Sequence, residues 1–271
     1  MKKLILLSLL SLNTNIYAQE YVATIKNNKG IVVSNEINNN TNNDNNTSLC
    51  PEGQVVVNRT ELDNMIANNE DYSNVCTAYI TDMSNLFIDK SVNYDISQWD
   101  TSNVTDMTYL FKGSDFNGDI SQWNVSNVIL MEGTFALSQF NQDISGWDTS
   151  KVQNMWGTFY YSPFNQDISN WNTSSVITMQ GMFRDSAFNQ DISGWDISNV
   201  EIMRAMFAYC PFNQDISGWD TSNVENMYIM FLGATDFYHD ISGWDVSNVT
   251  NYEFFADESP IANTNFLPSF P

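Results

Sequence analysis

Acidic side chains recur in this sequence at positions where several of them could act together. The residue that follows each regularly spaced tryptophan is an aspartate or an asparagine: Asp100, Asn124, Asp148, Asn172, Asp196, Asp220 and Asp245. On neighbouring strands, about 4.8 Å apart, adjacent carboxylates would repel each other by roughly 1 kcal/mol even in water. A cation or a basic ligand would relieve that repulsion. We therefore predict that this acidic column is a candidate ligand face, with a plain solvated acidic surface as the alternative.

A second set of aspartates stands four residues before the tryptophans, at Asp95, Asp119, Asp143, Asp167, Asp191, Asp215 and Asp240. Aspartate at such a position is typical of a turn, in which the carboxylate accepts local backbone N–H groups. The Gly-Gly-x-Gly-x-Asp nonapeptide of calcium-binding β-rolls is absent from the sequence. We therefore predict no dedicated metal site, and no cofactor beyond weak calcium binding by the acidic column.

The tryptophans themselves could either stack against sugars or fill a core. Those that recur every 24 or 25 residues are Trp99, Trp123, Trp147, Trp171, Trp195, Trp219 and Trp244. Each has an isoleucine three residues earlier and Thr, Val or Ile two residues later, which favours a short strand with all three side chains inward. We therefore predict a buried tryptophan ladder. Trp156 lies outside the period, so we predict that it is exposed and belongs to the candidate ligand face.

Catalytic chemistry has little support in the residue pattern. His239 is the only histidine, and no nucleophile elbow, phosphate-binding loop or metal-binding helix motif is present. Repeated carboxylates do not make an acid–base pair, because that pair needs two different environments. We predict no catalytic residue and no enzymatic activity.

The fixed period predicts a solenoid, in which each unit buries its apolar face only against its neighbours. After the tryptophan strand comes Val-x-x-Met-x-x-Met-Phe, as at Val224, Met227, Met230 and Phe231. This spacing of three to four residues predicts one or two helical turns. The expected fold is an α/β solenoid, leucine-rich-repeat-like, in which each 24-residue unit has one short strand plus a short helix or helical turn. The array is predicted over residues 78–256.

Two further segments are predicted to close the ends of the array. Residues 257–271 depart from the repeat and suit a C-terminal cap or tail. Residues 50–77 form an N-terminal cap, for which we predict a Cys50–Cys76 disulfide, with two free buried thiols as the alternative. Cys210 takes a small-residue position of the repeat and is expected to be a core thiol.

The stretch FNQDISGWDTSNVENMYIMF, from Phe212 to Phe231, resembles the repeat of BspA-like leucine-rich-repeat surface proteins, a variant found in bacterial, often mycoplasma-type, surface proteins. The resemblance covers roughly residues 79–255. It implies a leucine-rich-repeat-like solenoid, an exported location, and a role in adhesion or protein binding. This chain departs from lipid-anchored relatives because no cysteine follows its first apolar stretch.

The N-terminal sequence indicates where the protein is located, and the net charge limits the kinds of partner that it can bind. Residues 1–18 have the lysines, the short apolar stretch and the terminal alanine of a signal peptide, and an Asn-rich flexible spacer is predicted over 19–49. No later apolar run is long enough to span a membrane. The net charge of −22 argues against nucleic acid, which needs a basic surface. The protein is therefore expected to be secreted or to lie at the cell surface.

Two functions are compatible with these patterns. The first is adhesion or recognition of a protein or glycan, at a cell surface or in a matrix, through the repeat face. The second is a structural, cation-organised surface spacer without a specific ligand. A non-repeating cluster of exposed aromatic residues around Trp156, Tyr160 and Tyr161 would favour the first function, and a uniform acidic face would favour the second.

Overall fold

The computed structural model describes residues 49–271. The predicted signal peptide and all but the last residue of the predicted spacer lie outside the described residues. The N-terminal end of the described chain holds two strands and one helix: β1 (Val55–Val56), α1 (Arg59–Ala67) and β2 (Val75–Cys76). The two strands pair in parallel, Val55 with Val75 and Val56 with Cys76. The structure joins Cys50 to Cys76 by a disulfide, which closes this segment.

Helix α1 begins where its sequence provides a capping box. The Asn58 side chain accepts the Glu61 backbone N–H, and the Glu61 carboxylate accepts the Asn58 backbone N–H. Leu62 and Ile66 are the buried residues of the helix. The guanidinium of Arg59 reaches out of the helix to the carbonyls of Asp82 and Ser84, at 2.8 and 2.7 Å. The helix therefore covers the first edge of the array that follows.

From residue 80 onward, successive copies of the repeat lie against one another. We call each 24- or 25-residue copy a coil. Isolated parallel bridges link one residue of each coil to the next, through Asp82, Asp106, Leu130, Asn154, Thr178, Ile202, Asn226 and Asn251. Around each bridge, alternate backbone N–H groups donate to carbonyls of the following coil, as Met107 does to Leu130 and Tyr109 does to Glu132. These bonds hold the copies together at the same register throughout the array.

The secondary structure within the coils differs from the expectation. In residues 49–271 the only helix is Arg59–Ala67 and the only strands are β1 and β2. The Val-x-x-Met-x-x-Met-Phe stretch forms consecutive turns, in which Thr134 donates to Met131 and Ser138 to Phe135. We call these stretches the turn segments: residues 81–89, 105–113, 129–137, 153–161, 177–185, 201–209, 225–233 and 250–258.

Positive backbone φ angles explain why the turn segments are not helical. The fifth and ninth residues of every turn segment have φ between +49° and +68°, as at Gly133 and Leu137. Such left-handed residues interrupt a right-handed helix and turn alternate N–H groups toward the next coil. Consecutive turns give inward side chains nearly the same spacing as a helix does, so the apolar pattern alone could not separate the two.

The predicted strand around each tryptophan is also built of turns. The tryptophan N–H donates to the carbonyl of the isoleucine three residues earlier, as Trp147 does to Ile144 at 3.1 Å. The isoleucine, the tryptophan and the β-branched residue nevertheless point inward, and all are buried. Inward orientation at these positions therefore does not require an extended strand.

Aromatic columns fill the core of the array. Tryptophan rings of neighbouring coils stack nearly parallel, at 6.3 Å for Trp99–Trp123 and 6.4 Å for Trp147–Trp171. A parallel column of phenylalanines includes Phe135 and Phe159, whose ring centroids lie 5.7 Å apart. Cys210 lies in the same core as an unpaired thiol, and burial raises its pKa to about 11. Each coil thus buries its apolar side chains largely against equivalent side chains of its neighbours.

Residues 257–271 pack over the last coil. The Phe270 ring stacks on Tyr252 with centroids 4.4 Å apart and meets Phe255 edge-on at 5.0 Å. Ile261 is fully buried, and the Ile241 N–H donates to the Phe266 carbonyl. This segment covers the aromatic core where no further coil follows within the described chain.

Candidate functional site

The acidic column predicted as a ligand face is exposed along its whole length, from Asp100 to Asp245. Each of its side chains also accepts a backbone N–H from the serine two residues later, at 2.9–3.1 Å. Hydrogen bonds from the serine hydroxyl and then from the serine backbone lower the pKa of Asp148, Asp196 and Asp220, and the same two bonds in the reverse order of size lower that of Asp245. The column is therefore outward-facing and turn-forming at once, and the sequence argument had found only the first property.

The aspartates four residues before the tryptophans have the same local geometry. Each accepts the backbone N–H of the serine two residues later, at 2.9–3.0 Å. That bond, together with one from the serine hydroxyl, lowers the pKa of six of them: Asp119, Asp143, Asp167, Asp191, Asp215 and Asp240. Among residues 49–271, no group of three or more His, Cys, Asp or Glu side chains is arranged to hold a metal ion. The aspartates on both sides of each tryptophan thus share one local role, which is to fold the turns.

The predicted tryptophan ladder leaves no ring face for a ligand. Its members are only 3–5% exposed. Each indole N–H donates to a carbonyl of the preceding coil or cap, at 3.0–3.3 Å, as Trp171 does to Ile144. Burial of a tryptophan needs such a partner for its N–H, and the neighbouring coil supplies it.

A ladder of asparagines also links the coils, and the sequence argument did not find it. The side-chain oxygens of Asn117, Asn141, Asn165, Asn189 and Asn213 each accept a backbone N–H of the next coil, at 2.8–3.0 Å. The signal was present in the sequence, because an asparagine follows the phenylalanine in each of these repeats. What it bonds to lies 24 or 25 residues away and depends on the stacking.

The exposed side chains of the turn segments form a different kind of surface, which we call the turn face. Its residue types change from coil to coil, whereas those around the tryptophans hardly change. Of the five large apolar or aromatic residues exposed between residues 80 and 258, four lie on the turn face: Leu137, Tyr161, Tyr209 and Phe254. Tyr161 is 60% exposed and Phe254 is 56% exposed. This surface was only partly predicted, through Trp156 and its neighbours.

Trp156 lies on the turn face, in a different part of the coil from the acidic column. It is half-buried rather than exposed, since its ring meets Tyr109 edge-on at 6.4 Å and its Nε1 lies near Gly181. Tyr160 is half-buried and lies beside the more exposed Tyr161, with centroids 6.1 Å apart. This coil therefore carries two aromatic contacts on the turn face, one between Trp156 and Tyr109 and one between Tyr160 and Tyr161.

Half of the basic side chains from residue 49 onward lie on the turn face. The basic residues from residue 49 onward are Arg59, Lys90, Lys112, Lys151, Arg184 and Arg204. Three of these lie over turn-face tyrosines: Lys112 over Tyr109 at 4.7 Å, Arg184 over Tyr160 at 5.7 Å, and Arg204 over Tyr228 at 5.0 Å. Cation–π contacts of this kind fix both partners in place at a surface. A molecule of strongly negative net charge thus has one surface where cations and aromatic rings meet.

A buried polar group supports one end of this surface. Glu132, which is 6% exposed, accepts hydrogen bonds from the Tyr109 hydroxyl and from the Asn154 side-chain amide, the latter at 3.1 Å. Burial, followed by the charge of Glu132, raises the pKa of Tyr109. The Asn154 oxygen in turn accepts the Trp156 backbone N–H at 2.9 Å. These bonds connect three successive coils and hold the Tyr109 and Trp156 segments together.

Comparison with known families identifies the family of the repeat. The family described as "Mycoplasma protein of unknown function, DUF285" matches the chain three times, at residues 60–163, 136–211 and 157–267. The chain belongs to this family. The overlapping matches run over the whole array and confirm the prediction of a mycoplasma-type repeat family. Searches of curated proteins and of solved structures each returned no match. Within residues 49–271, no helix is long and apolar enough to cross a membrane.

Proposed function

We propose that this DUF285 protein is an exported, non-enzymatic recognition protein, and that it binds a protein or a glycan through the turn face. The observation that carries the proposal is the non-repeating set of exposed aromatic residues there, above all Tyr161 and Tyr209. Tyrosine gives a large contact area with few rotatable bonds, which favours recognition surfaces. The resemblance to BspA-like surface proteins supports the same role.

In this proposal, the stacked coils form a leucine-rich-repeat-like solenoid. Each coil bonds to the coils on both sides, and its core side chains stack on equivalent residues. In such an array the constant positions maintain the stack, while the remaining positions are free to specialise. The turn face is the part of this repeat where the residue types differ from coil to coil.

A structural spacer organised by cations is the second candidate function. It is favoured by the acidic column, which is exposed in every coil from Asp100 to Asp245. Each carboxylate of the column whose pKa is lowered already accepts hydrogen bonds from its own serine, as Asp220 does from Ser222. The column is thus accounted for by turn formation, whereas the Tyr161 side chain is 60% exposed and forms no turn.

The test compares two surfaces in the full secreted chain, which is first screened against matrix proteins and glycans. Tyr161 and Tyr209 occupy a left-handed position where two other coils have Gly113 and Gly233, so the double variant Tyr161→Gly/Tyr209→Gly should fold. We expect it to lose binding to any ligand found. Asp196→Asn is the matched control, because Asn124 and Asn172 occupy the same position, and it should bind normally. Normal binding by the tyrosine variant together with lost binding by Asp196→Asn would contradict the proposal.

A further inference from the structure

The two ends of the hydrogen-bonded ladder differ in chemical polarity. In every turn segment except the last, the third, fifth, seventh and ninth residues donate their N–H groups to the next coil. The carbonyls that accept from the previous coil belong to the residues in between. One end of the array therefore presents carbonyls, and the other end presents a row of N–H donors.

Basic side chains cover most of the carbonyl end. Arg59 of helix α1 donates to the Asp82 and Ser84 carbonyls, and Lys90 donates to the Leu86 carbonyl at 3.2 Å. Edge groups of a ladder are ready to pair with another chain unless they are covered. These two side chains thus occupy three of the four carbonyls that a second copy of this protein would need in order to add at this end.

The donor end remains uncovered among the described residues. The backbone N–H groups of Tyr252, Phe254, Ala256 and Glu258 make no hydrogen bond to any residue from 49 to 271. Residues 257–271 pack onto the aromatic core at this end, but they do not pair with this row. Phe254 and Glu258 are exposed, Tyr252 is half-buried, and Ala256 points its methyl group into the core.

We propose that this donor edge binds an extended, positively charged segment of a partner polypeptide, which supplies main-chain carbonyls to the row. Extended peptides commonly add to exposed ladder edges in this way. The rim of the edge consists of the exposed side chains of Glu253, Asp257 and Glu258. Their charge favours lysine or arginine on the incoming segment and disfavours an anionic ligand.

The polarity of the edge restricts the occupant further. A second copy of this chain would bring either the same donor row or a carbonyl edge that Arg59 already occupies. An ordinary strand carries N–H groups beside its carbonyls, and these would face the donor row. Proline supplies a carbonyl without an N–H group. The best occupant is therefore a basic segment with prolines at the residues that face the edge.

Amide hydrogen exchange on the full chain tests the first half of this inference. In the free protein, the amides of Tyr252, Phe254 and Glu258 should exchange at least about a hundredfold faster than the equivalent amides of Met227, Ile229 and Gly233. Those inner amides donate to the last coil, whereas the edge amides have no such partner. Equal protection in the two coils would mean that the edge is already covered, and would overturn the proposal.

Peptide binding tests the second half. An alternating Lys-Pro decapeptide should slow exchange at the edge amides, and a Glu-Pro decapeptide should not. The triple variant Glu253→Gln/Asp257→Asn/Glu258→Gln should weaken Lys-Pro binding about tenfold, as expected for three rim charges. Equal protection by both peptides, or no protection by Lys-Pro at millimolar concentration, would refute the inference. The Tyr161→Gly/Tyr209→Gly variant should bind Lys-Pro normally, which separates this edge from the turn-face function.

Discussion

The two sides of each coil use their side chains in opposite ways. Around the tryptophans, the constant residues are committed to the stack: Trp171 donates to Ile144, Asn165 accepts from Asn189, and Asp167 folds its own turn. On the turn face, the stacking bonds come from the backbone, and the side chains of residues such as Tyr161 project outward. A repeat can therefore vary a position only where the backbone, rather than the side chain, holds the coils together.

The largest expected difference between the two sides is in the cost of removing a tryptophan. Trp171→Ala should lower the free energy of unfolding by about 3–5 kcal/mol, because it removes a buried ring and leaves a cavity. Trp156→Ala should cost about 1 kcal/mol, since that ring is half-buried. Chemical denaturation of both variants measures the difference. Equal losses would show that the turn face is as structural as the core.

A smaller effect is expected for the asparagine ladder. The Asn165 oxygen accepts the Asn189 N–H and the Gln190 side-chain amide, at 2.9 and 3.0 Å. Asn165→Ala should cost about 1–2 kcal/mol, because it leaves a backbone donor without its partner. Tyr161→Gly, from the turn face, should change the free energy of unfolding by less than about 0.5 kcal/mol. If the two variants are equally stable in denaturation, the asparagine bonds do not hold the coils together.

A fall in pH should change the contributions of the two sides to the free energy of unfolding in opposite directions. The bonds from serines lower the pKa of the aspartates beside the tryptophans, such as Asp167 and Asp196. A lowered pKa stabilises the folded chain above the unfolded-state value, near 4, and that stability is lost as the pH falls through the folded-state value. Burial instead raises the pKa of Asp185 on the turn face, so its ionisation opposes folding as the pH rises.

We therefore expect the melting temperature of the wild type to hold between about pH 7 and pH 5 and to fall below about pH 4. Asp185→Asn should leave that acid transition in place, while Asp167→Asn should reduce it slightly. Melting curves at a series of pH values measure both effects. A melting temperature that rises below pH 4 would mean that mutual repulsion of the carboxylates outweighs their turn bonds.

The smallest effect concerns salt. Hydrogen bonds from Ser222 lower the pKa of Asp220, while the charges of Asp196 and Asp245 in the neighbouring coils raise it. Moderate salt or millimolar calcium should raise the melting temperature, and Asp220→Asn should reduce that gain. Asn keeps the turn acceptor, whereas Asp220→Ala removes it and should melt earlier in every buffer. A gain that is unchanged in Asp220→Asn would contradict the repulsion.

Several features of the fold could be predicted from particular residues. The 24-residue spacing of the tryptophans predicted the repeat, and the flanking isoleucines predicted that the rings point inward. The aspartate before each tryptophan was correctly expected to accept a local N–H, because that bond is formed within three residues. The stretch Val224–Phe231 was predicted to be helical but forms turns, because turns and helices share the same apolar spacing. Gly133, Gly157 and Gly181 occupy the same position in three repeats, and a glycine at a fixed position indicates a positive φ angle, which a helix does not allow.

The candidate site was predicted only in part. Trp156, Tyr160 and Tyr161 were singled out because they break the repeat, and they do lie on one surface. Tyr209 and Phe254 belong to the same surface, but nothing in their own coils marks them, since their exposure depends on how the turns orient the side chains. Alignment of the repeats with one another would have shown that the turn segments are the variable part.

By itself, the sequence determined three properties of the coil: the period, the inward and outward alternation around the tryptophans, and the aspartate turns. These depend on residues a few positions apart, so local spacing encodes them. The tertiary structure decided which segment forms the ladder between coils, which carbonyl each tryptophan donates to, which N–H group each asparagine accepts, and which end of the ladder keeps free donors. Those partners lie 23 to 28 residues apart along the chain, and only the stacking of whole coils brings them together.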